Sequence, residues 1–173
     1  MLSDSPVPHQ HKAYGPTRVH CAVITLSDSR SPSDDTSGRW IREELTRAGH
    51  QVLGYELIPD DPVRLRALVA AALDDPRLEA LLTTGGTGVS SRDGTVEVLE
   101  GFVHKRLDGF GELFRFLSYQ EIGSAAMLSR AMAGLDARGR LLVALPGSPH
   151  AVRLAMEKLI LPELGHILGQ ARR

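Results

Sequence analysis

Residues 81–88, LLTTGGTG, are the most informative part of this sequence, and SSRD follows them at 90–93. A short apolar run stops at a Gly-Gly turn, and a third glycine comes one residue later. Glycine allows positive φ and lets a ligand approach bare backbone, so successive amide groups can converge on phosphate oxygens, assisted by the positive end of any helix that follows. The turn indicates either an anion-binding loop or a tight strand-to-helix connection without a ligand. Asp93 favours the first alternative, because a carboxylate repels phosphate unless a divalent cation such as Mg²⁺ lies between them.

Apolar runs with the pattern of buried strands recur on both sides of this turn. They cover residues 19–26, 52–58, 78–82 and 141–145. Continuous apolar strands are typical of a parallel sheet that is covered on both faces. Helical patterns separate the strands, and strands joined by helices require right-handed crossovers and mainly parallel pairing. The sequence therefore predicts a three-layer α/β/α fold with a mostly parallel central sheet.

Capping residues predict where the helices begin and end. Asp61 and Pro62 supply an N-cap and a first-turn proline for the second helix. Gly49 can end the first helix in the left-handed conformation, and Asp35 is interpreted as its N-cap. Apolar residues at helical spacing predict the face of each helix that packs inward. These residues are Ile41, Leu45 and Ala48 in the first helix; Leu65, Leu68, Val69 and Ala72 in the second; and Val152, Ala155, Leu159 and Leu168 in the last.

Polar loops follow the four predicted strands, at residues 27–35, 59–61, 85–93 and 146–150. In parallel sheets, ligands bind beyond the carboxyl ends of the strands, so these loops should lie along one rim. The rim would bring together residues that are far apart in the chain, including two glycine turns that supply amide groups for phosphate.

Two carboxylates of this rim, Asp60 and Asp93, are predicted to share a cation from two sides of one cleft. The alternative for Asp60 is a turn residue, since Asp61 better explains the helix cap. Arg92 is interpreted as a phosphate clamp because it adjoins the glycine turn, and its alternative is a solvated side chain.

Composition predicts one compact domain at residues 18–173, preceded by a flexible N-terminal arm at residues 1–17 that is rich in proline and polar residues. Twenty basic and 21 acidic residues give a formal net charge of −1, which does not favour binding to nucleic acid or an anionic membrane. The single cysteine, Cys21, lies in an apolar run and is interpreted as a buried strand residue in a reducing compartment. With no apolar segment of membrane-spanning length, we expect a soluble cytoplasmic protein.

Four groups of motifs resemble the MoaB/MogA family of molybdenum cofactor biosynthesis, and the resemblance runs from about residue 19 to the C-terminus. Two details, DDTSG at 34–38 and EIG at 121–123, look closer to the B branch of that family. The matching segments are TGGTG at 84–88 with RD at 92–93, SDSR at 27–30 with DDTSG at 34–38, LPGSP at 145–149, and a middle segment with GFGE at 109–112, FR at 114–115, LS at 117–118, EIG at 121–123 and SRA at 129–131.

The resemblance implies a molybdopterin-binding-like α/β fold that assembles as a trimer or hexamer and works with other enzymes of the pathway. Active family members transfer AMP from Mg-ATP to the molybdopterin phosphate and release pyrophosphate. The two family carboxylates important for that reaction match Asp60 and Asp93, which are therefore the expected catalytic and Mg²⁺-binding residues, and a pterin-side serine matches Ser118. The residues expected to bind molybdopterin or ATP are Ser27, Asp28, Thr84, Gly85, Gly86, Thr87, Gly88, Arg92, Ser118, Pro146, Gly147 and Ser148.

The sequence departs from active relatives at two places. Asp93 is followed by Gly94-Thr95-Val96 rather than by Val-Thr-Pro, and His150 stands where relatives often carry Lys or Asn. A non-catalytic protein that binds molybdopterin or a nucleotide is therefore the alternative function. A nicotinamide-dependent oxidoreductase is disfavoured, because the first strand is not followed by Gly-x-Gly-x-x-Gly. The apolar residues at 102–118 suggest either a helical connection packed on the domain or an oligomer interface.

Overall fold

A computed structural model describes residues 15–173 of the chain. Residues 1–14, which make up most of the predicted N-terminal arm, lie outside the described residues. The backbone at Gly15 and Pro16 lies against the last helix, where a Cβ atom on Gly15 would be 2.1 Å from the carbonyl oxygen of Gly165. The described chain therefore begins in close contact with the C-terminal part of the domain.

The described residues form six strands that alternate with helices along most of the chain. The strands are His20–Leu26 (β1), Gln51–Ile58 (β2), Ala80–Thr84 (β3), Lys105–Arg106 (β4), Met132–Leu135 (β5) and Leu141–Leu145 (β6). The helices are Thr36–Arg47 (α1), Pro62–Asp74 (α2), Thr95–Glu100 (α3), Asp108–Ile122 (α4), Pro149–Ala155 (α5) and Leu161–Ala171 (α6), with a 3₁₀ helix at Gly123–Leu128 and a π-helical segment at Met156–Ile160 between α5 and α6.

The strands form one sheet in the order β2-β1-β3-β6-β5-β4. The pairs β1–β2, β1–β3 and β3–β6 are parallel, whereas β5 pairs antiparallel with β6 and with β4. The carboxyl ends of β1, β2, β3 and β6 consequently meet at one edge of the sheet.

Alternate side chains of the central strands fill two separate cores, one on each face. On β1, Cys21 and Val23 face the core formed with α1, α4, α5 and α6. Ile24 and Leu26 face the core formed with α2 and α3. Strands buried on both faces read as continuous apolar runs, so this arrangement confirms the three-layer fold predicted from the sequence.

The capping predictions are confirmed. The side chain of Asp61 accepts hydrogen bonds from the amides of Val63 and Arg64 at the start of α2. Gly49, after α1, has a φ of +89°. The buried Cys21 also agrees with the sequence, and burial raises the pKa of its thiol to about 12, with Glu79 adding to the shift.

Two features of the sheet were not predicted. The third strand was placed at residues 78–82 but occupies Ala80–Thr84, so it reaches the Gly-Gly turn directly. The antiparallel strands β4 and β5 were missed, because β4 has only two residues, both charged, and β5 has four residues including Gly134. Among residues 15–173, no helix is long and apolar enough to cross a membrane.

Candidate functional site

The glycine turn after β3 has a backbone that only glycine adopts easily. Gly85 and Gly86 have φ values of +103° and +65°. A Cβ atom on Gly85 would lie 2.2 Å from the carbonyl oxygen of Leu26, at the end of β1. The turn therefore packs directly on the neighbouring strand, and residue 85 admits no side chain.

The four carbonyl groups of residues 85–88 all accept hydrogen bonds from the protein. Thr95 donates its hydroxyl to the Gly85 carbonyl at 2.9 Å and its amide to the Gly86 carbonyl at 3.1 Å. Arg130 donates its amide to the Thr87 carbonyl at 3.0 Å and its Nε to the Gly88 carbonyl at 2.7 Å. These contacts turn the carbonyl groups of the loop toward Thr95 and Arg130.

The amide groups of the same loop are arranged differently. The Gly85 amide continues the sheet by donating to the Leu145 carbonyl at 3.0 Å. The amides of Gly86, Thr87 and Gly88 donate to no acceptor within residues 15–173. Three successive uncommitted N–H groups are the arrangement that binds anions in glycine-rich loops. These three amides do not belong to a helix N-terminus, because α3 begins only at Thr95. The amide of Thr95 already donates to the Gly86 carbonyl.

Three carboxylates lie close to this loop in the same cleft. Asp28, which follows β1, accepts a hydrogen bond from the amide of Asp60 at 3.1 Å. An Oδ atom of Asp93 accepts from the Ser90 amide at 2.8 Å. A Cβ atom on Gly86 would be 3.4 Å from Oδ1 of Asp60, so the Asp60 carboxylate stands beside the glycine turn.

Within residues 15–173, the Asp60 carboxylate lacks hydrogen-bond donors for one of its oxygen atoms. Its Oδ1 atom is buried and has no hydrogen-bond partner among the described residues. Burial raises the pKa of Asp60 above its usual value, and the negative charges of Asp28 and Asp93 raise it further, against the opposing effect of Arg92. A site of this kind would be relieved by a cation, because a nearby positive charge favours the ionised carboxylate. Within residues 15–173, no group of three or more His, Cys, Asp or Glu side chains is placed to hold a metal ion by itself.

Two arginines contribute positive charge to the rim. Arg92 forms an ion pair with Asp28 at 2.9 Å, and its side chain is 64% exposed. Arg30 is 25% exposed and donates from Nη2 to the carbonyl of Gly147 at 3.0 Å. The β1 loop is thereby joined to the loop after β6.

The cleft between these loops has a volume of about 530 Å³ and gathers most of the predicted residues. Its lining includes Ser27, Asp28, Asp60, Gly85, Gly86, Thr87, Gly88, Asp93, Pro146 and Gly147. Four distant loops of the sequence therefore meet in one cleft at the carboxyl edge of the sheet.

Four other predicted residues do not line the cleft. Thr84 is fully buried and donates its hydroxyl to the Pro146 carbonyl at 2.8 Å, so it holds two rim loops together. Ser148 caps α5 by accepting from the Ala151 amide at 3.3 Å. Arg92 lies at the rim in its ion pair, and Ser118 is 5% exposed on α4. Ligand contacts by these four residues stay predictions.

Sequence reasoning missed several residues that build the site. Arg30 and Ser129 line the cleft, and Arg130 and Thr95 hold the glycine loop from behind. The motifs at 27–30 and 129–131 contained three of them, but only the fold shows that Arg130 reaches the loop at residues 87–88. A basic residue 42 positions from the glycine it contacts carries no signal in the local sequence.

The two departures from active relatives have separate locations. Gly94 lies against α2, where a Cβ atom would be 2.7 Å from Cγ of Pro62, so this position admits little more than glycine. His150 lies on α5 and pairs with Glu121 of α4 at 2.6 Å between Nε2 and Oε2. Neither residue lines the cleft described above.

Comparison with known proteins agrees with this fold and these motifs. Residues 22–166 match the family described as "Probable molybdopterin binding domain". The molybdenum cofactor biosynthesis protein B of Bacillus anthracis is 46% identical over 165 residues, which cover 95% of this chain and 97% of that protein. A crystal structure of molybdenum cofactor biosynthesis protein B has a TM-score of 0.86 at 46% identity and covers 91% of this chain and 98% of that one. The tungsten cofactor synthesizing protein MoaB from Pyrococcus furiosus has a TM-score of 0.83 at 36% identity, over 91% of this chain and 99% of that one.

The fold and the matched region place the chain in the class of molybdopterin-binding domains. Within that class it belongs to the MoaB family of molybdenum cofactor biosynthesis proteins, because relatives of that name are 40–46% identical over nearly the whole chain. The family resemblance predicted from the sequence motifs is confirmed.

Proposed function

We propose that this protein binds molybdopterin and Mg-ATP in the cleft at residues 85–88 and transfers AMP to the molybdopterin phosphate. The observation that carries the proposal is the pairing of two features in one cleft. Uncommitted amide groups at Gly86, Thr87 and Gly88 suit phosphate oxygens, and the carboxylates of Asp60 and Asp93 suit a divalent cation.

The proposed reaction requires two anions to meet. An oxygen of the molybdopterin phosphate attacks the α-phosphorus of ATP, a new P–O bond forms, and the bond to the β-phosphate breaks with release of pyrophosphate. Phosphoryl-type transfers need positioning and charge stabilisation more than a nucleophilic side chain. The backbone of residues 86–88 would bind phosphate oxygens, and Arg130 and Thr95 would keep those amides aimed at the cleft.

The residues of the cleft fit a Mg²⁺ ion that arrives with the nucleotide. The unpartnered buried Oδ1 of Asp60 and the raised pKa of its carboxyl mark a place where a cation would be favourable. Mg²⁺ is usually held by one or two carboxylates together with substrate phosphates. Asp60 and Asp93 would supply those carboxylates, since Asp28 is paired with Arg92. Bound there, Mg²⁺ would supply the positive charge that offsets repulsion between the two anionic substrates.

The proposal is tested by incubating the purified protein with molybdopterin, ATP and Mg²⁺ under anaerobic conditions. We expect adenylylated molybdopterin and an equal amount of pyrophosphate, and no product when EDTA removes the metal. Tight binding of both ligands without product would instead support the alternative of a non-catalytic binding protein.

We also propose that the protein self-associates through the outer face of α4. Six of the exposed large apolar side chains lie on this helix and the 3₁₀ helix after it. Large exposed apolar patches are uncommon on monomeric proteins and often mark interfaces. They are Leu113, Phe116, Tyr119, Ile122, Met127 and Leu128. Of the apolar residues singled out at 102–118, Leu113 and Phe116 lie on this exposed face. Phe102, Val103, Leu107, Phe110 and Phe114 instead pack against the two cores, as expected for a helical connection packed on the domain.

Phe116→Glu tests the self-association proposal, because residue 116 is 59% exposed and a charge there would not disturb the core. We expect the wild-type protein to sediment as a trimer or hexamer and the variant to sediment as a smaller species. A matched control is Val63→Glu on α2, another exposed apolar residue, which should leave the oligomer unchanged. A monomeric wild-type protein at micromolar concentration would contradict the proposal.

A further inference from the structure

Two arginine side chains at the cleft, Arg92 and Arg30, could bind a phosphate group. Arg92 is adjacent to the glycine turn in the sequence, but its guanidinium is paired with the carboxylate of Asp28 at 2.9 Å and is mostly exposed. An arginine that is mostly exposed gains little from an ion pair with an anion, because water screens its charge. The other arginine at the rim, Arg30, lines the cleft itself.

Arg30 is fixed in place at both ends. Its amide donates to the hydroxyl oxygen of Ser27 at 3.2 Å, which orders the loop after β1. Its Nη2 donates to the Gly147 carbonyl at 3.0 Å, on the loop after β6. A guanidinium has five N–H groups, and within residues 15–173 that of Arg30 makes one hydrogen bond, to the Gly147 carbonyl. Most of its donors therefore stay available to a ligand in the cleft.

Asp35 lies behind Arg30 and holds it electrostatically. The Oδ1 atom of Asp35 is 3.6 Å from Nη1 of Arg30, which is an ion-pair distance and leaves the guanidinium donors free. The Asp35 side chain is fully buried. Its Oδ1 accepts from the Gly38 amide at 3.0 Å, and its Oδ2 accepts from the hydroxyl of Tyr55 at 2.6 Å. These bonds give Asp35 a single position.

The charge state of Asp35 follows from its partners. Burial alone would raise the pKa of this carboxyl, but hydrogen bonds from the Tyr55 hydroxyl and the Gly38 amide, together with the charge of Arg30, hold the pKa below its usual value. Asp35 is therefore an ionised group that does more than cap α1, since an asparagine would cap the helix equally well.

We propose that Arg30 is a phosphate-binding residue of this cleft and that Asp35 is the residue that positions it. The inference rests on the proposed function, because it assigns one contact within the same ligand site. The ligand chemistry is a phosphate group, which either ATP or molybdopterin supplies. An arginine held by a carbonyl and a carboxylate at one side presents the remaining face of its planar fork to a phosphate.

The test measures binding by isothermal titration calorimetry for Arg30→Gln, Arg30→Lys and the wild-type protein. Four ligands are titrated separately: Mg-ATP, AMP, pyrophosphate and molybdopterin. We expect Arg30→Gln to weaken at least one of them by about 10- to 100-fold, as for loss of a hydrogen bond to a charged group. Arg30→Lys should weaken it less, because it keeps the charge but loses the fork. The ligand affected identifies the phosphate that Arg30 binds.

Arg39→Gln is the matched control, since Arg39 is an exposed arginine on α1 that does not line the cleft. It should bind all four ligands as the wild type does. The positioning role of Asp35 is tested by Asp35→Asn alone and together with Arg30→Gln. If Asp35 acts through Arg30, Asp35→Asn weakens the same ligand, and the double variant binds it no more weakly than Arg30→Gln does. A double variant that is weaker by the product of both effects would overturn the positioning role.

The outcomes separate this inference from the proposed function. A wild-type protein that binds Mg-ATP and molybdopterin, with Arg30→Gln affinities within twofold for every ligand, would overturn the role of Arg30 and leave the proposed function standing. A wild-type protein that binds none of the four ligands would overturn both. A drop in affinity for one ligand, with unchanged thermal unfolding of Arg30→Gln, supports the role of Arg30 and the ligand binding that the proposed function requires.

Discussion

The two edges of the central sheet both carry carboxylates, but they treat them in opposite ways. At the amino edge, before β3, Glu79 accepts a hydrogen bond from the His20 amide at 2.8 Å and forms an ion pair with Arg172. At the carboxyl edge, after β2, Asp60 has a buried oxygen atom without a partner and two carboxylates nearby.

The pKa values of the two side chains shift in opposite directions for these reasons. Burial alone would raise the pKa of Glu79, but hydrogen bonds from His20 and Arg172 and the charge of Arg172 hold it below its usual value. The pKa of Asp60 is raised by burial and by neighbouring carboxylates. The carboxylate at the amino edge is thus held by hydrogen bonds and an ion pair, whereas Asp60 at the carboxyl edge has a buried oxygen atom without a hydrogen-bond partner among the described residues. Carboxylates whose pKa is raised by burial and by neighbouring carboxylates are typical of functional sites.

The largest effect should come from neutralising a carboxylate at the carboxyl edge. We expect Asp93→Asn or Asp60→Asn to lower adenylyl transfer by about 10²- to 10³-fold, because the metal and phosphates lose their anchor. Pyrophosphate release under saturating substrate measures the change. Asp61→Asn is the control, since it lies next to Asp60 and asparagine retains the cap of α2. Full activity of Asp93→Asn would remove Asp93 from the mechanism.

The next effect concerns the backbone that joins the glycine turn to β1. Gly85→Ala should lower the free energy of unfolding by about 3 kcal/mol, because the new Cβ atom would collide with the Leu26 carbonyl at a positive φ. Gly49→Ala keeps a positive φ but the new Cβ atom meets no other atom, so the free energy of unfolding should fall by about 1 kcal/mol. Gly54 in β2 has neither a positive φ nor a nearby atom, so Gly54→Ala should leave the free energy of unfolding almost unchanged. Urea unfolding of the three variants checks this order, which equal losses would contradict.

A smaller loss of stability is expected at the amino edge. Glu79→Gln should lower the free energy of unfolding at pH 7 by about 1–2 kcal/mol, because charge-assisted bonds to Arg172 and to the His20 amide are weakened. Since the folded-state pKa of Glu79 is lowered, its stabilisation is present above the ordinary carboxyl pKa and disappears as pH falls through the folded value. The free energies of unfolding of the wild type and the variant should therefore become equal in acid. A difference that persists below that range would assign the effect to packing.

The smallest effect has the opposite sign. Without Mg²⁺ or ligand, Asp60→Asn should raise the free energy of unfolding at neutral pH by at most about 1 kcal/mol, because it removes a repelled carboxylate. The raised pKa of Asp60 makes its ionised form unfavourable above the folded-state pKa, and this penalty fades as pH falls toward the ordinary value. Thermal unfolding in EDTA at several pH values measures it. A destabilised variant would mean that Asp60 is a structural carboxylate like Glu79.

Local sequence signals predicted the central strands and the helix caps well. The continuous apolar runs of β1 and β6, the cap at Asp61 and the positive φ of Gly49 follow from short-range physics and are found as predicted. The rule that loops meet at the carboxyl edge of a parallel sheet was enough to bring Asp60 and Asp93 together.

The features that the sequence did not predict depend on long-range contacts. Whether Arg92 or Arg30 keeps free donors depends on the positions of Asp28 and Gly147, which no local pattern encodes. The same holds for Arg130, whose amide and guanidinium orient the carbonyls of residues 87–88. Asp35 could be predicted as a cap, but its bond to Tyr55 required the pairing of β1 with β2.

We propose that phosphate and metal bind at the carboxyl edge, between residues 86–88 and the carboxylates of Asp60 and Asp93. Crystals grown with Mn²⁺ in place of Mg²⁺ and a non-hydrolysable ATP analogue would test it through the anomalous signal of manganese. We predict one strong peak at Asp60 and Asp93, with phosphate density against the amides of residues 86–88. Manganese and nucleotide bound only at the amino edge beside Glu79, or on the outer face of α4, would contradict the account.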